Sequence, residues 1–226
     1  MQLIDFASKQ VRYAELVRQR KAQKDCGGMT NPYWVENGIY DSEHINPWAN
    51  ALGGDLDASL MIVGQDWGGV EYFIENKGID KGMVPGTDKK IEATNKTLFE
   101  LLDSIGIHLE PASRPATKHK LFFTNACLWL RDGRLTTGTI PAAGFRTSAP
   151  FLREQIKIVS PKVVVTLGYK AYAALLESYE LLPKQTMKEA QDDVRKLPNG
   201  SLLIPLYHCG QKVIGIKNSL VRGIRG

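Results

Sequence analysis

Cysteine is scarce in this chain: Cys26, Cys127 and Cys209 are the only three, odd in number and far apart. Such spacing carries neither a disulfide framework nor a Cys-x-x-Cys metal site, and it implies free thiols in a reducing compartment. Long apolar runs are missing too. Nothing approaches the ~20 residues that a membrane span requires, and the opening Met1-Gln2-Leu3-Ile4-Asp5-Phe6 lacks a basic region followed by an apolar one. A cytoplasmic protein without membrane contact is the expectation. Several enzyme signatures are also absent: there is no Gly-x-Ser-x-Gly, no Gly-x-x-x-x-Gly-Lys-Ser/Thr, no His-Glu-x-x-His and no Gly-x-Gly-x-x-Gly. Cys209 beside His208 suggests a thiol nucleophile, but neighbours in an extended chain point to opposite sides, which ranks that idea last. Acidic residues give out after Asp193, whereas Arg195, Lys196, Lys212, Lys217, Arg222 and Arg225 follow it.

What is present describes one globular domain. The 226 residues are 43% hydrophobic and 23% charged, long enough to bury a sizeable core and too apolar for extensive disorder. The net charge of +5 is concentrated in that C-terminal stretch and in Arg18, Arg20, Lys21 and Lys24. Basic patches of this kind attract polyanions, nucleic acid first, through counterion release, although a solvated basic surface accounts for either patch alone.

Residues 2 to about 24 set Leu3, Phe6, Val11, Tyr13, Ala14, Leu16 and Val17 among polar groups, which predicts an amphipathic helix. From Cys26 to Leu56, Gly27-Gly28, Asn31-Pro32, Asn46-Pro47 and Gly53-Gly54 mark successive turns. Residues 1–56 thus read as a helical and irregular extension of a single domain spanning 1–226, with Trp34, Tyr40, His44 and Trp48 as its anchors. Leu60 to Val63 is an apolar run that ends at Gly64, a residue free to adopt backbone angles that others avoid. Residues 70 to 90 read as a long loop, and Leu98, Leu101, Leu102 and Ile105 as a helix stopped by Gly106. Lys120 to Ala126 is a second strand, Phe151 to Val159 a helix ended by Pro161, Val163 to Gly168 a third strand followed by a helix over Tyr169 to Ser178. Ser201 to Tyr207 is a fourth strand, placed at an edge by Pro205. Alternating strands and helices predict an α/β fold, a three-layer α/β/α arrangement around a central four-stranded, mainly parallel sheet.

A parallel sheet gathers the C-terminal ends of its strands at one rim, where ligands bind in such folds. Three of the four ends carry chemically capable groups: Gln65 with Asp66, Asn125, and His208. Each has a plainer reading, as a helix cap, a turn closer and a satisfied interior imidazole. Their convergence on one rim is what packing does not explain.

With these residues assembled, the chain resembles the uracil-DNA glycosylase superfamily. Gly64-Gln65-Asp66 is similar to the start of its first motif, Leu121 to Leu130 with Thr124-Asn125-Ala126-Cys127-Leu128 to the strand whose Asn reads the base, Pro161 to Gly168 to the third strand, and Tyr207-His208 to the His-Pro-Ser position. The resemblance covers roughly residues 57 to 215. It implies a base-excision repair glycosylase that hydrolyses the bond to a flipped uracil or related base, with Asp66 and His208 catalytic and Gln65, Trp67, Asn125 and Phe73 around the base. It further implies Lys212, Val213 and Ile214 on DNA, with Val213 or Ile214 as a minor-groove wedge, no cofactor and no metal, and DNA as the partner of a monomer. Two departures stand out. Trp67-Gly68 replaces the family's Pro-Tyr, whose Tyr excludes the methyl group of thymine, and Cys209-Gly210 replaces Pro-Ser; three scattered cysteines also exclude the iron-sulfur branches. The alternatives are excision of another base such as hypoxanthine or xanthine, and a nucleic-acid-binding protein that keeps the fold without the activity.

Overall fold

A computed structural model describes residues 4–38, 41, 54–75, 93–107, 121–133 and 139–209. In chain order the elements are α1 (Ile4–Ala22), β1 (Met29–Thr30), a 3-10 segment (Pro32–Gly38), β2 (Leu60–Gly64), α2 (Val70–Glu75), α3 (Ala93–Ser104), β3 (Leu121–Asn125) and β4 (Leu130–Arg131). They continue with α4 (Ala142–Val159), β5 (Val163–Leu167), α5 (Tyr169–Ser178), α6 (Met187–Gln191), β6 (Arg195–Lys196) and β7 (Leu202–Leu206).

The four apolar runs become neighbouring parallel strands in the order β3-β2-β5-β7, as an α/β sheet covered on both faces requires. Strand alternation then sorts the side chains. Met61, Val63, Phe122, Val164 and Leu203 face a core shared with Tyr13, Leu16 and Val17 of α1, Leu152 and Ile156 of α4, and Tyr172, Leu175 and Leu176 of α5. Ile62, Leu121, Phe123, Val165, Leu167 and Leu206 face the other way, against Leu98 and Leu102 of α3. The result is the expected three-layer α/β/α arrangement. Among the described residues no helix is long and apolar enough to cross a membrane.

Several expectations change. A two-residue β6 joins the sheet antiparallel to β7, so β7 lies inside the sheet. Pro205 is tolerated because β6 pairs only with Leu202 and Leu203 and stops short of it. The helix expected from Phe151 begins at Ala142, with Pro150 inside it; reading Pro as a boundary hides its first two turns. The loop expected from residue 70 opens instead with α2, whose Phe73 is fully buried. Trp34 is 55% exposed, with its indole N–H on the Gln23 carbonyl and its ring edge-on to Tyr33, so it is no core anchor. Among the described side chains of α1 the buried ones are Tyr13, Leu16, Val17 and Arg20, while Val11 faces solvent; the side chains of Leu3 and Phe6 lie outside those described. Tyr40, His44 and Trp48 lie outside the described residues.

Candidate active site at the rim of the sheet

Chain direction decides where the sheet opens. From β2 the chain moves to β3 on one side, whereas from β5 it moves to β7 on the other, so the topological switch point, where ligands bind in such sheets, lies beyond the C-terminal ends of β2 and β5. Asp66 lies two residues past the end of β2. Two glycines then seat side chains from the neighbouring segments at that rim. A Cβ on Gly64 would lie 2.4 Å from Asn125 Oδ1, so the carboxamide of β3's last residue rests on the α-carbon of β2's last residue. A Cβ on Gly168, just past β5, would lie 3.2 Å from the His208 Cβ. Gly168 also has φ +89 and donates its N–H to the Leu206 carbonyl at 2.7 Å, which seats the turn carrying His208. The reason for Gly64 is therefore clearance for Asn125, a correction to the backbone freedom expected of it, since its φ is not in the left-handed region.

Backbone pairing continues beyond the strands. Ala126 and Cys127 donate to the carbonyls of Gly64 and Gln65 at 2.8 and 2.9 Å, Arg131 donates to Gly68 at 3.0 Å, and Gly69 bridges Arg131 in parallel. The segments after β2 and β3 are thus zipped together for several residues, which fixes Asp66 relative to Asn125. Leu128 is tied to α4 as well, through its N–H on the Ser148 hydroxyl at 2.9 Å.

Asp66 is densely satisfied. Its Oδ2 accepts from Arg131 Nε at 2.8 Å and from the Gly68 N–H at 3.1 Å, and Oδ1 accepts from Gln65 Nε2 at 3.2 Å. Its side chain is 8% exposed and that of Arg131 7%. Arg131 was not foreseen; the only available signal was a lone Arg one residue beyond the apolar Leu121–Leu130 run. His208 is half-buried, and burial pushes its imidazole below the usual range while the charge of Asp66 pulls the other way. The ring is therefore neutral at neutral pH and sits within the field of Asp66.

Other expected site residues fall elsewhere. Trp67 is 5% exposed and meets Phe73 edge-on, ring centroids 6.1 Å apart, in a small core with Val35 and Leu130. Neither ring presents an open face, so both leave the set of stacking residues; apolar bulk drove them inward. Gln65 stays at the rim as a partner of Asp66. Lys212, Val213 and Ile214 lie outside the described residues. Burial pushes the thiols of Cys127 and Cys209 up to about 12 and about 11, so neither supplies a thiolate nucleophile at neutral pH.

An acid, an amide and a neutral imidazole thus share the C-terminal rim of the β3-β2-β5-β7 sheet. The Uracil DNA glycosylase superfamily matches residues 52–211. The chain belongs to the uracil-DNA glycosylase superfamily. No curated protein matches it. Superfamily membership carries a glycosylase-type role in DNA repair and binding to DNA. The matched range holds β2 through β7 with Asp66, Asn125, Arg131 and His208, and leaves α1, β1 and the 3-10 segment outside it.

Proposed function

We propose that this glycosylase-superfamily protein hydrolyses the N-glycosidic bond between deoxyribose and a flipped uracil, or a related damaged base, in DNA. The observation that supports the reading is that Asp66, Asn125 and His208 share the C-terminal rim of the sheet, two of them seated on Gly64 and Gly168. The base must leave the stack because its glycosidic bond is unreachable in a duplex. The C1′–N bond then breaks with its electron pair going to the base, and C1′ develops oxocarbenium character. A water oxygen bonds to C1′, its proton leaves by way of the Asp66 carboxylate to solvent, and the departed base takes up a proton. Free base and an abasic site are the products.

Each side chain has a role that its surroundings support. Asp66 is a fixed anion beside the developing cation; at about 4 Å and an effective dielectric near 20 a unit charge contributes about 4 kcal/mol, of which nearby Arg131 takes back a part. His208, neutral, donates a hydrogen bond to the base oxygen that gathers negative charge. Asn125 offers both a donor and an acceptor to the N–H and C=O of a uracil edge. In this reading Lys212 meets phosphate and Val213 or Ile214 enters the minor groove. Trp67-Gly68 in place of Pro-Tyr widens the choice of base to hypoxanthine, xanthine and other lesions.

The Asp66–Arg131 ion pair favours a second reading, a DNA-binding member in which Asp66 is a structural partner and no bond is cut. Incubation with oligonucleotides carrying uracil, hypoxanthine, xanthine or other lesions, read as alkali-labile abasic sites, separates the two. Excision from one or more of them, lost in Asp66→Asn, is expected. DNA binding with no abasic sites on any member of the panel would sink the hydrolytic reading.

A further inference from the structure

The Asp66 carboxylate is oriented by a residue outside the stretches that carry the resemblance to the superfamily. A carboxylate has two oxygens with two lone-pair positions each. Arg131 Nε and the Gly68 N–H take up both positions of Oδ2, and Gln65 takes one of Oδ1. One acceptor position on Oδ1 is left. Arg131 itself is braced along its length: its backbone N–H donates to Gly68, and as part of β4 it pairs with Met29 of β1. Just after β1, Asn31 is fully buried. Its carboxamide donates to the carbonyls of Arg20 and Gln23 at 3.0 and 2.8 Å and accepts from Arg20 Nη1 at 3.0 Å, and its N–H donates to Asp25 Oδ1 at 2.8 Å. The N-terminal segment outside the superfamily match is therefore the far support of the guanidinium that holds Asp66.

We propose that Arg131 is a positioning residue for base release, which locks the Asp66 carboxylate in one rotation so that the remaining position on Oδ1 receives the attacking water. This rests on the hydrolytic reading above. A guanidinium suits the task because its planar donors fix direction as well as charge, whereas a lysine ammonium supplies charge alone. Rotation of the carboxylate by a few tens of degrees would carry the water out of line with C1′, and misplacement on the scale of 1 Å costs on the order of a hundredfold in rate. Through β1 and Asn31, the 4–38 segment becomes part of the catalytic scaffold.

The test uses the full chain, single-turnover excision of the base found in the panel, and anisotropy with an undamaged oligonucleotide. In Arg131→Met the single-turnover rate falls about a hundredfold, while affinity for the undamaged oligonucleotide stays within about twofold because no phosphate contact is removed. Arg131→Lys regains part of the rate. In Arg131→Ala, where room for the head group is opened, added methylguanidinium raises the rate; a residue that only supports the fold gives no such rescue. Asp66→Asn combined with Arg131→Met is no slower than Asp66→Asn alone, since both remove one unit of function. An Arg131→Met protein as fast as the wild type, losses that multiply in the double variant, or a parallel loss of oligonucleotide affinity would each overturn the proposal. If Arg131→Met does not fold, Arg131→Lys and the guanidinium rescue decide the matter. A wild type that cuts no base brings down the hydrolytic reading and this proposal together; an active wild type with indifferent Arg131 variants brings down this proposal alone.

Discussion

Arg20–Asp41 and Arg131–Asp66 are the same chemistry put to two uses. Arg20 reaches both oxygens of Asp41 at 2.8 Å with side chains 1% and 0% exposed, and it adds Asn31 through its other amino group. Both oxygens of Asp41 are thus held by a single guanidinium nitrogen. Burial pushes the Asp41 carboxyl up, against the pull of the Arg20 charge, so this pair pays heavily for its desolvation and acts as a local pin on the N-terminal segment. Arg131 reaches one oxygen of Asp66 through Nε, shares it with a backbone N–H, and leaves the second oxygen to a single amide. One pair ties both oxygens of its carboxylate to a single partner, whereas the other spreads three different donors over its carboxylate and so fixes the rotation of the group as well as its position. Burial alone does not separate the two cases; the pattern of donors does.

The sharpest way to break the comparison is to neutralise each aspartate. Asp66→Asn should lower the single-turnover excision rate by about a thousandfold while DNA affinity is retained, because removing a catalytic carboxylate costs within the roughly 10²–10⁴ range of acid–base groups. Asp41→Asn should slow excision by folded protein far less, because the Arg20 bond to Asn31 remains, and instead cost about 3 kcal/mol in urea unfolding, the loss expected when a buried cation is left uncompensated. If Asp41→Asn slows excision as much as Asp66→Asn at a temperature where it is folded, the contrast between the two pairs fails. Next in size, His208→Ala should slow base release about a hundredfold, as does loss of a donor aimed at developing negative charge. It should be largest for the base whose leaving-group oxygen is hardest to stabilise otherwise.

Smaller effects sharpen the picture. Gly64→Ala forces Asn125 off its seat and should weaken binding of the excised base about tenfold, measured by product inhibition, the loss of one good hydrogen-bond pair. The smallest effect concerns pH. His208 is depressed in the folded protein, so the stability that comes from keeping it neutral is fully present above about pH 6.5, its unfolded value, and declines as pH falls through that value towards the folded one. The melting temperature should therefore drop less between pH 7 and 5 in His208→Gln than in the wild type. An equal drop would place the sensitivity in other groups.

Most of the sheet was legible because buried parallel strands are short, apolar and bounded by turn residues. The position of Asp66, Asn125 and His208 at one rim was legible because strand ends in such a sheet share it. Arg131 was not, since a basic residue after an apolar run looks like any surface charge until β1 and the Gly68 segment close around it. Trp67 and Phe73 were misplaced for the opposite reason: aromatic rings beside a candidate acid suggest stacking, yet with apolar neighbours on α2 and the 3-10 segment they bury each other. Helix α4 was half hidden by Pro150. Breakers mark tendencies of an isolated chain, and tertiary packing overrides them, here through the Ser148 hydroxyl bridging α4 to Leu128.

Gly64 with Asn125 and Gly168 with His208 amount to a lock-and-seat code written across the sheet, in which one strand supplies a missing side chain and its neighbour supplies the functional one. Neither half has value alone. The seats lie far from their occupants in the chain, so no local pattern reveals the couple, and a side chain at Gly64 would displace an Asn125 that itself remains intact. If the proposed function holds, an Asn at a strand end that faces an alanine or larger residue on the neighbouring strand keeps its letter but loses its place at the rim.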